Sequence, residues 1–149
     1  MKQLTFFLAD DDADDVMLFQ QLLHDIDPNV NFIAAKDGQE AVSILKKCNP
    51  LPDLILLDLN MPKMDGKECL AFIKGHPETA LIPVVIYTTS SQSKDIEETL
   101  MSGALCYITK PSGVKELQEI IYTLVKNTRH HLKEAIQKLN SSSNIFVVI

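Results

Sequence analysis

Five short apolar runs, separated by longer stretches with helical spacing, restrict this chain to one kind of fold. The runs are rich in Leu, Ile, Val and Phe, as is typical of strands that helices cover on both faces. They are Leu4–Ala9, Asn31–Ala35, Leu54–Leu57, Pro83–Tyr87 and Cys106–Thr109. Between them, apolar residues recur at helical intervals, most clearly from Val114 to Val125. This alternation predicts an α/β fold with a doubly wound, five-stranded parallel sheet flanked by five helices.

The length and charge of the chain exclude several classes of protein. Its 149 residues, 46% of them apolar, fit a single domain with one core. Acidic residues outnumber basic ones by 20 to 14, which argues against nucleic acid as a direct partner. No apolar run approaches the roughly 18 residues that span a bilayer, and aspartates from Asp10 onwards interrupt the start too early for a signal peptide. We therefore expect a soluble, cytoplasmic protein that does not contact a membrane.

The chain continues beyond the last predicted strand–helix unit, which ends near Lys126. Helical spacing persists through Leu132 and Leu139, so we expect the last helix to extend past the core. Residues 140–144 predict a linker, and residues 145–149 form an apolar, β-prone end. We predict that residues 127–149 mediate self-association or docking, with the apolar end adding to a sheet edge. The alternative is a frayed helix with a disordered tail.

Polar side chains follow the predicted strands at the points where they end. Asp10, Asp11 and Asp12 follow the first strand, Asp58 and Asn60 follow the third, Thr88 follows the fourth and Lys110 follows the fifth. In an open α/β sheet these carboxyl ends form the ligand-binding edge. Crowded carboxylates need a cation, and Mg²⁺ prefers such oxygen ligands together with phosphate. With a lysine to neutralise a phosphoryl group and a threonine to donate to it, the set predicts a Mg²⁺-dependent site that takes a phosphoryl group onto an aspartate.

The order and spacing of these motifs resemble one protein family. The motifs are Asp10-Asp11, Leu54-Ile-Leu-Leu-Asp58-Leu-Asn-Met-Pro62 with Asp65-Gly66, Thr88, and Tyr107-Ile-Thr-Lys110-Pro111. Over residues 3–126 they resemble the receiver domain of bacterial two-component response regulators. The resemblance implies a flavodoxin-like fold with strand order 2-1-3-4-5. It also implies a receiver domain over residues 1–126, with residues 127–149 as a C-terminal helical extension and tail.

The resemblance implies a role for each matching residue at the site. Asp58 would be the phosphoacceptor. Asp10 and Asp11 would hold Mg²⁺ together with Asp58, and the backbone carbonyl of Asn60 would be a further ligand. Lys110 would contact the phosphoryl group and Asp58.

Further roles concern the switch that would follow phosphorylation. Thr88 would move toward the phosphoryl group, and Tyr107 would swing inward into the space that it leaves. The peptide bond before Pro111 would be cis, an isomer that proline permits at low cost. Thr89 stands where the family prefers Ala or Gly. Its bulk predicts slower entry of phosphodonor or water, and hence altered dephosphorylation kinetics.

The predicted function is that of a stand-alone, single-domain response regulator. It would take a phosphoryl group from the phosphohistidine of a sensor histidine kinase or a histidine phosphotransfer protein. It would then slowly hydrolyse its own aspartyl phosphate and catalyse no reaction on a metabolite. The expected output is a change in binding to a downstream protein target, and a homodimer is a further prediction.

Two other functions compete with this interpretation. A phosphohydrolase of the haloacid dehalogenase type also uses a strand-end aspartate, Mg²⁺ and a lysine. Its motif would begin at Asp10 and Asp12 but needs Thr or Val where Asp14 stands, and it leaves Asp58 unexplained. The second is a pseudo-receiver that binds partners without phosphorylation, which the intact set of site residues disfavours.

Overall fold

The computed structural model describes residues 2–139 and 145–149 of the chain, so the predicted linker lies outside the described residues. Its strands and helices alternate along the sequence up to the fifth helix, as the apolar runs predict. In chain order they are β1 Thr5–Ala9, α1 Ala13–Ile26, β2 Asn31–Ala35, α2 Gly38–Lys47, β3 Leu54–Leu57, α3 Gly66–Gly75, β4 Val84–Thr88, α4 Ser93–Met101, β5 Cys106–Thr109, α5 Val114–Asn127, α6 Leu132–Leu139 and β6 Val147–Val148.

The strands form one sheet in the order β2-β1-β3-β4-β5-β6. The first five strands are parallel, which confirms the predicted doubly wound sheet and the strand order 2-1-3-4-5. The sixth strand is an addition to that prediction. It pairs antiparallel with β5, with Tyr107 opposite Val148 and Ile108 opposite Val147.

Two apolar cores lie on opposite faces of the sheet, because successive side chains of a strand point to opposite sides. On one face, Phe6, Leu8 and Ile108 pack against α1, α5 and α6. On the other face, Phe7 and Tyr107 pack against α2 and α3 and contact apolar residues of α4. Both faces are therefore covered, as the nearly continuous apolar runs predict.

The C-terminal segment differs from the single extended helix expected from its spacing. The fifth helix ends at Asn127, and α6 begins only after His131, whose backbone has a positive φ of 62°. This break turns the chain back toward the sheet, so that Leu132, Ile136 and Leu139 are buried in the same core as α1 and α5. A straight continuation of α5 would instead carry these side chains beyond the sheet. Burial of apolar surface therefore favours two helices over one.

Aspartates begin several helices and fix how the chain leaves the sheet. The side chain of Asp12 accepts hydrogen bonds from the backbone N–H groups of Asp14 and Asp15 and caps α1. Asp65 and Glu68 form a full capping box at the start of α3. These caps hold the first turns of α1 and α3 beside the carboxyl ends of β1 and β3. In the described part of the chain, no helix combines the length and the apolar character needed to cross a membrane.

Candidate functional site

Four of the predicted site residues meet at the carboxyl edge of the sheet. Asp10 follows β1, Asp58 follows β3, Thr88 ends β4 and Lys110 follows β5. The backbone extends the sheet pairing into these positions. The N–H of Asp58 donates to the carbonyl of Ala9 at 2.9 Å, and the N–H of Lys110 donates to the carbonyl of Thr88 at 2.7 Å. The sheet itself therefore positions the four residues.

The ammonium group of Lys110 lies among three carboxylates. Its Nζ is 2.7 Å from Oδ2 of Asp10, 2.8 Å from Oδ2 of Asp15 and 3.6 Å from Oδ2 of Asp58. The contact with Asp15 is a hydrogen bond as well as an ion pair, and the contacts with Asp10 and Asp58 are ion pairs. The side chains of Lys110, Asp10 and Asp58 are all nearly buried, which strengthens the attraction between them.

The protonation equilibria of this cluster reflect its burial. Removal from water raises the pKa of Asp10 from 3.8 to about 6, although Lys110 and the N–H of Asp12 act in the opposite direction. Burial alone would lower the pKa of Lys110. The carboxylates of Asp10 and Asp15 outweigh burial and hold the pKa of that ammonium above its ordinary value. Lys110 is therefore charged, whereas the ionised form of Asp10 is costly in the metal-free protein.

Three acidic side chains offer the ligands for a divalent cation. Oxygen atoms of Asp10, Asp11 and Asp58 all lie within 4.8 Å of one another. Oδ2 of Asp10 is buried, and it forms an ion pair with Lys110, so a bound cation would share this oxygen with the ammonium. Carboxylate oxygens are the hard ligands that Mg²⁺ and Mn²⁺ prefer. The residues fit such an ion, and exposed Asn60, two residues after Asp58, lies in the loop from which its carbonyl would join them.

The loop that follows Asp58 needs a glycine at its far end. A Cβ atom on Gly66 would lie 2.2 Å from the backbone oxygen of Asp58, well inside van der Waals contact. The N–H of Gly66 also donates to the carbonyl of Leu59 at 2.9 Å. This close approach packs the start of α3 against the backbone of Asp58 and fixes the loop that contains Asn60.

Thr88 and Tyr107 are buried on neighbouring strands. The hydroxyl of Thr88 has no hydrogen-bond partner among the described residues, which leaves its O–H free to donate to a group arriving at the site. Tyr107 is fully buried in the inward arrangement, and its hydroxyl donates to the carbonyl of Ser90 at 2.8 Å. The structure therefore places Tyr107 beside the loop that follows Thr88.

A second ion-pair network connects that loop to helices α3 and α4. Nζ of Lys67 lies 2.7 Å from both Oδ1 of Asp95 and Oε2 of Glu98. The other oxygen of Asp95 accepts a hydrogen bond from the Ser90 hydroxyl at 2.6 Å. These contacts with Lys67 and Ser90 lower the pKa of Asp95. The carbonyl of Ser90 in turn holds Tyr107, so the network reaches from α3 to β5.

Sequence reasoning missed one member of the site and placed one feature wrongly. The sequence motifs give Asp15 no role at the site, yet Asp15 accepts a hydrogen bond from Lys110. The expected cis bond before Pro111 was wrong. Within the described residues the cis peptide bond is Asn49–Pro50, so the bond between Lys110 and Pro111 is trans. Both isomers are accessible at any X–Pro bond, and the motif alone does not decide between them.

The response regulator receiver domain family matches residues 6–122 of the chain, which is most of its length. The chain belongs to this family. The receiver domain is 37% identical over 119 residues to response regulator Rcp1 of Synechocystis sp., covering 76% of this chain and 81% of Rcp1. It is 36% identical over 124 residues to a protein-glutamate methylesterase/protein-glutamine glutaminase of Methanococcoides burtonii. That alignment covers 79% of this chain but only 34% of the methylesterase, so the shared part is the receiver domain.

Solved structures agree with the family assignment. The phosphorylated cyanobacterial phytochrome response regulator RcpA superimposes with a TM-score of 0.79 at 35% identity, covering 84% of this chain and 93% of RcpA. The Mn²⁺-bound form of Rcp1 superimposes with a TM-score of 0.74 at 35% identity, covering 81% and 91% of the two chains. Receiver domains bind Mg²⁺ or Mn²⁺ at an acidic pocket, and the receiver domain described here has such a cluster of aspartates. It is therefore a signalling module of a two-component system.

Proposed function

We propose that this receiver domain is a phosphorylation-dependent switch that accepts a phosphoryl group on Asp58. The observation that carries the proposal is the pairing of this buried carboxylate with Lys110 beside the acidic ligand set. A carboxylate that is to accept a phosphoryl group must face a strong positive field, because the incoming group brings further negative charge. The ammonium and a divalent cation together supply that field.

The transfer itself forms one bond and breaks another at phosphorus. An oxygen of Asp58 attacks the phosphorus of the donor's phosphohistidine, the bond from phosphorus to the imidazole nitrogen breaks, and that nitrogen keeps the electron pair. Asp58 then carries an acyl phosphate, and Lys110 pairs with its oxygens as a point charge. When bound, Mg²⁺ neutralises the negative charge shared by the carboxylates and the phosphoryl oxygens. Attack by water on phosphorus later releases inorganic phosphate and restores the carboxylate.

The switch that follows would run through Thr88 and Tyr107. The free, buried hydroxyl of Thr88 is suited to donate a hydrogen bond to a phosphoryl oxygen. Its movement would alter the loop whose Ser90 carbonyl holds Tyr107. A two-state change of this kind would alter the surface formed by α4 and by β6 on the edge of β5, and therefore the affinity for a protein target.

The proposed partners are proteins. A sensor histidine kinase or histidine phosphotransfer protein would donate the phosphoryl group, and a phytochrome-type kinase is one candidate because RcpA is a phytochrome response regulator. A downstream protein target would read the phosphorylated state. We place these events in the cytoplasm, without direct contact to nucleic acid. Self-association stays a prediction, and the only reactions proposed for the domain are its own phosphorylation and dephosphorylation.

The first test is the intact mass of the protein after incubation with Mg²⁺ and acetyl phosphate. We expect one phosphoryl adduct on the unaltered protein and none when Mg²⁺ is chelated. Asp58→Asn should give no adduct, because an amide cannot form the acyl phosphate. The matched control is Asp14→Asn, which removes one exposed carboxylate from the first turn of α1 and should leave the adduct intact. An adduct that persists in Asp58→Asn would contradict the assignment of the acceptor.

The same experiment addresses the two competing functions. A pseudo-receiver would show no adduct with acetyl phosphate or with a phosphorylated histidine kinase. A phosphohydrolase would need Asp12 next to the reacting phosphorus, but the carboxylate of Asp12 is engaged in capping α1. Hydrolysis of added phosphate esters that survives Asp58→Asn would favour the phosphohydrolase.

A further inference from the structure

The hydrogen bond donated by Lys110 goes to a residue outside the set implied by the family. Oδ2 of Asp15 accepts it at 2.8 Å, whereas Oδ2 of the phosphoacceptor Asp58 lies 3.6 Å from the same nitrogen. The Lys110 ammonium therefore lies closer to the carboxylate of Asp15 than to the carboxylate of Asp58.

The fold brings Asp15 and Lys110 together although 95 positions separate them in sequence. Asp12 caps α1, so Asp15 falls in the first turn of that helix, next to the carboxyl edge of the sheet. Helix α1 packs beside α5 on the same face, and Lys110 lies between β5 and α5. The Lys110 side chain is only 9% exposed, whereas that of Asp15 is 38% exposed. Asp15 therefore reaches a buried cation from the rim of the site.

We propose that Asp15 is a positioning residue that competes with the phosphoryl group for Lys110. This inference rests on the proposed function and concerns the balance between the unphosphorylated and phosphorylated states. In the unphosphorylated domain, the charge of Asp15 compensates the ammonium. After phosphorylation, the same ammonium must also pair with the phosphoryl oxygens on Asp58. The carboxylate of Asp15 and these oxygens are all negatively charged, so they compete for Lys110.

The sign of the effect follows from this competition. An interaction shifts an equilibrium only as far as it differs between the two states. In the unphosphorylated state Asp15 shares Lys110 with the carboxylates of Asp10 and Asp58, and in the phosphorylated state it also competes with the added negative charge of the phosphoryl group. Removing the charge of Asp15 therefore favours the phosphorylated state. Without Asp15, the site should bind a phosphoryl mimic more tightly. This is the opposite of the loss of binding expected if Asp15 were an ordinary active-site carboxylate.

The test measures the affinity for beryllofluoride, a non-covalent mimic of the phosphoryl group, by calorimetry at saturating Mg²⁺. Relative to the unaltered protein, Asp15→Asn should bind beryllofluoride about three- to tenfold more tightly, as expected for a charge-assisted hydrogen bond at a half-exposed position. Asp14→Asn is the matched control, since it removes the same charge from the same helical turn without a contact to Lys110. Its affinity should equal that of the unaltered protein.

A double-mutant cycle separates a contact from a general change in charge or stability. In a Lys110→Gln background, Asp15→Asn should no longer change the affinity for beryllofluoride, because the ammonium for which Asp15 competes is absent. Equal affinities of the unaltered protein and Asp15→Asn would overturn the inference, as would the same gain in Asp14→Asn. If the unaltered protein itself fails to bind beryllofluoride with Mg²⁺, the proposed function fails and the inference fails with it.

Discussion

At the scale of single residues, the site is built at a cost to the stability of the metal-free fold. Asp10 is almost fully buried, one of its oxygens accepts no hydrogen bond within the described residues, and its raised pKa reports that burial disfavours its charge. A residue placed only for stability would be neutral at this position. Its charge is compensated by the Lys110 ammonium 2.7 Å away, and a divalent cation would compensate it further.

Replacing Asp10 by its neutral isostere should therefore stabilise the metal-free protein. We expect Asp10→Asn to raise the free energy of unfolding at pH 7.5 by about 1–3 kcal/mol in the presence of a chelator. Since the folded-state pKa of Asp10, about 6, is above the unfolded value of 3.8, the unaltered protein gains stability as the pH falls through this interval. The difference between the two proteins should shrink accordingly from pH 7.5 to pH 4.

Urea denaturation at several pH values, with and without Mg²⁺, measures this effect. Asp11→Asn is the control: its carboxylate is exposed, so its removal should change the stability of the metal-free protein by less than about 0.5 kcal/mol. Added Mg²⁺ should stabilise each variant less than it stabilises the unaltered protein. Equal gains from the two substitutions would contradict the role assigned to burial.

Thr89 supports a prediction about the lifetime of the phosphorylated state. It is exposed directly after the buried Thr88, and its bulk is predicted to slow the approach of water to Asp58. We expect Thr89→Ala to shorten the lifetime of the phosphorylated protein at least about twofold, which corresponds to about 0.4 kcal/mol of activation free energy. Loss of the adduct, followed by mass spectrometry after removal of the donor, measures it. Ser91→Ala, in the same loop, should keep the original lifetime, and an unchanged lifetime in Thr89→Ala would exclude the obstruction.

At the scale of secondary-structure elements, the network from Lys67 to Tyr107 holds the loop between β4 and α4. Asp95 is its central member, because its two oxygens contact Lys67 and Ser90 separately. The loop lies between the carboxyl edge of the sheet and α4. A change at Thr88 would therefore reach the surface through this loop.

Removing Asp95 should loosen this loop without unfolding the domain. We expect Asp95→Ala to increase amide hydrogen exchange over residues 89–95 by about threefold or more, because local opening then breaks fewer contacts. Glu97→Ala is the control, since Glu97 is exposed on the same helix and has no part in the network. Hydrogen exchange with mass spectrometry compares the two variants, and equal protection of the loop would show that the network does not restrain it.

The elements also show which parts of the structure the sequence could predict. The bounds of β2, β3 and β5 were predicted correctly, because buried parallel strands are short apolar runs whose ends are marked by polar residues. The side chains that end those strands were predicted to meet for the same reason. The break between α5 and α6 was not predicted, because the same helical spacing fits one helix or two. The contact of Asp15 with Lys110 depends on how α1 packs beside α5, which no local pattern encodes.

At the scale of the whole molecule, the C-terminal segment completes the sheet. Strand β6 covers β5, the outer edge of the parallel sheet, and Ile145 and Val147 are buried in the shared core. The apolar end adds to the edge of the chain's own sheet, and its predicted role in self-association or docking stays a prediction. An exposed edge strand invites pairing with other chains, and here β6 occupies that position.

Deleting residues 145–149 should therefore promote self-association. The free N–H and C=O groups of β5 would become available to a second copy, and loss of the buried side chains would lower the free energy of unfolding by about 2–4 kcal/mol. Sedimentation velocity of the full-length and shortened proteins measures the association. Phe146→Ala, which keeps the backbone pairing, is the control and should sediment like the full-length protein. A full-length dimer that becomes a monomer on deletion would instead make this segment the dimer contact.

The pairing of β6 with β5 also places residues 146–148 next to the proposed phosphorylation site. The N–H of Thr109, the residue before Lys110, donates to the carbonyl of Phe146 at 3.1 Å, while the Phe146 side chain is about half exposed. The chain contains no tryptophan. A Phe146→Trp substitution would thus introduce a single indole fluorophore, free of emission from other tryptophans, directly before β6 and beside the residue that precedes Lys110. Its emission would report the state of the domain in real time without altering any residue that contacts the phosphoryl group.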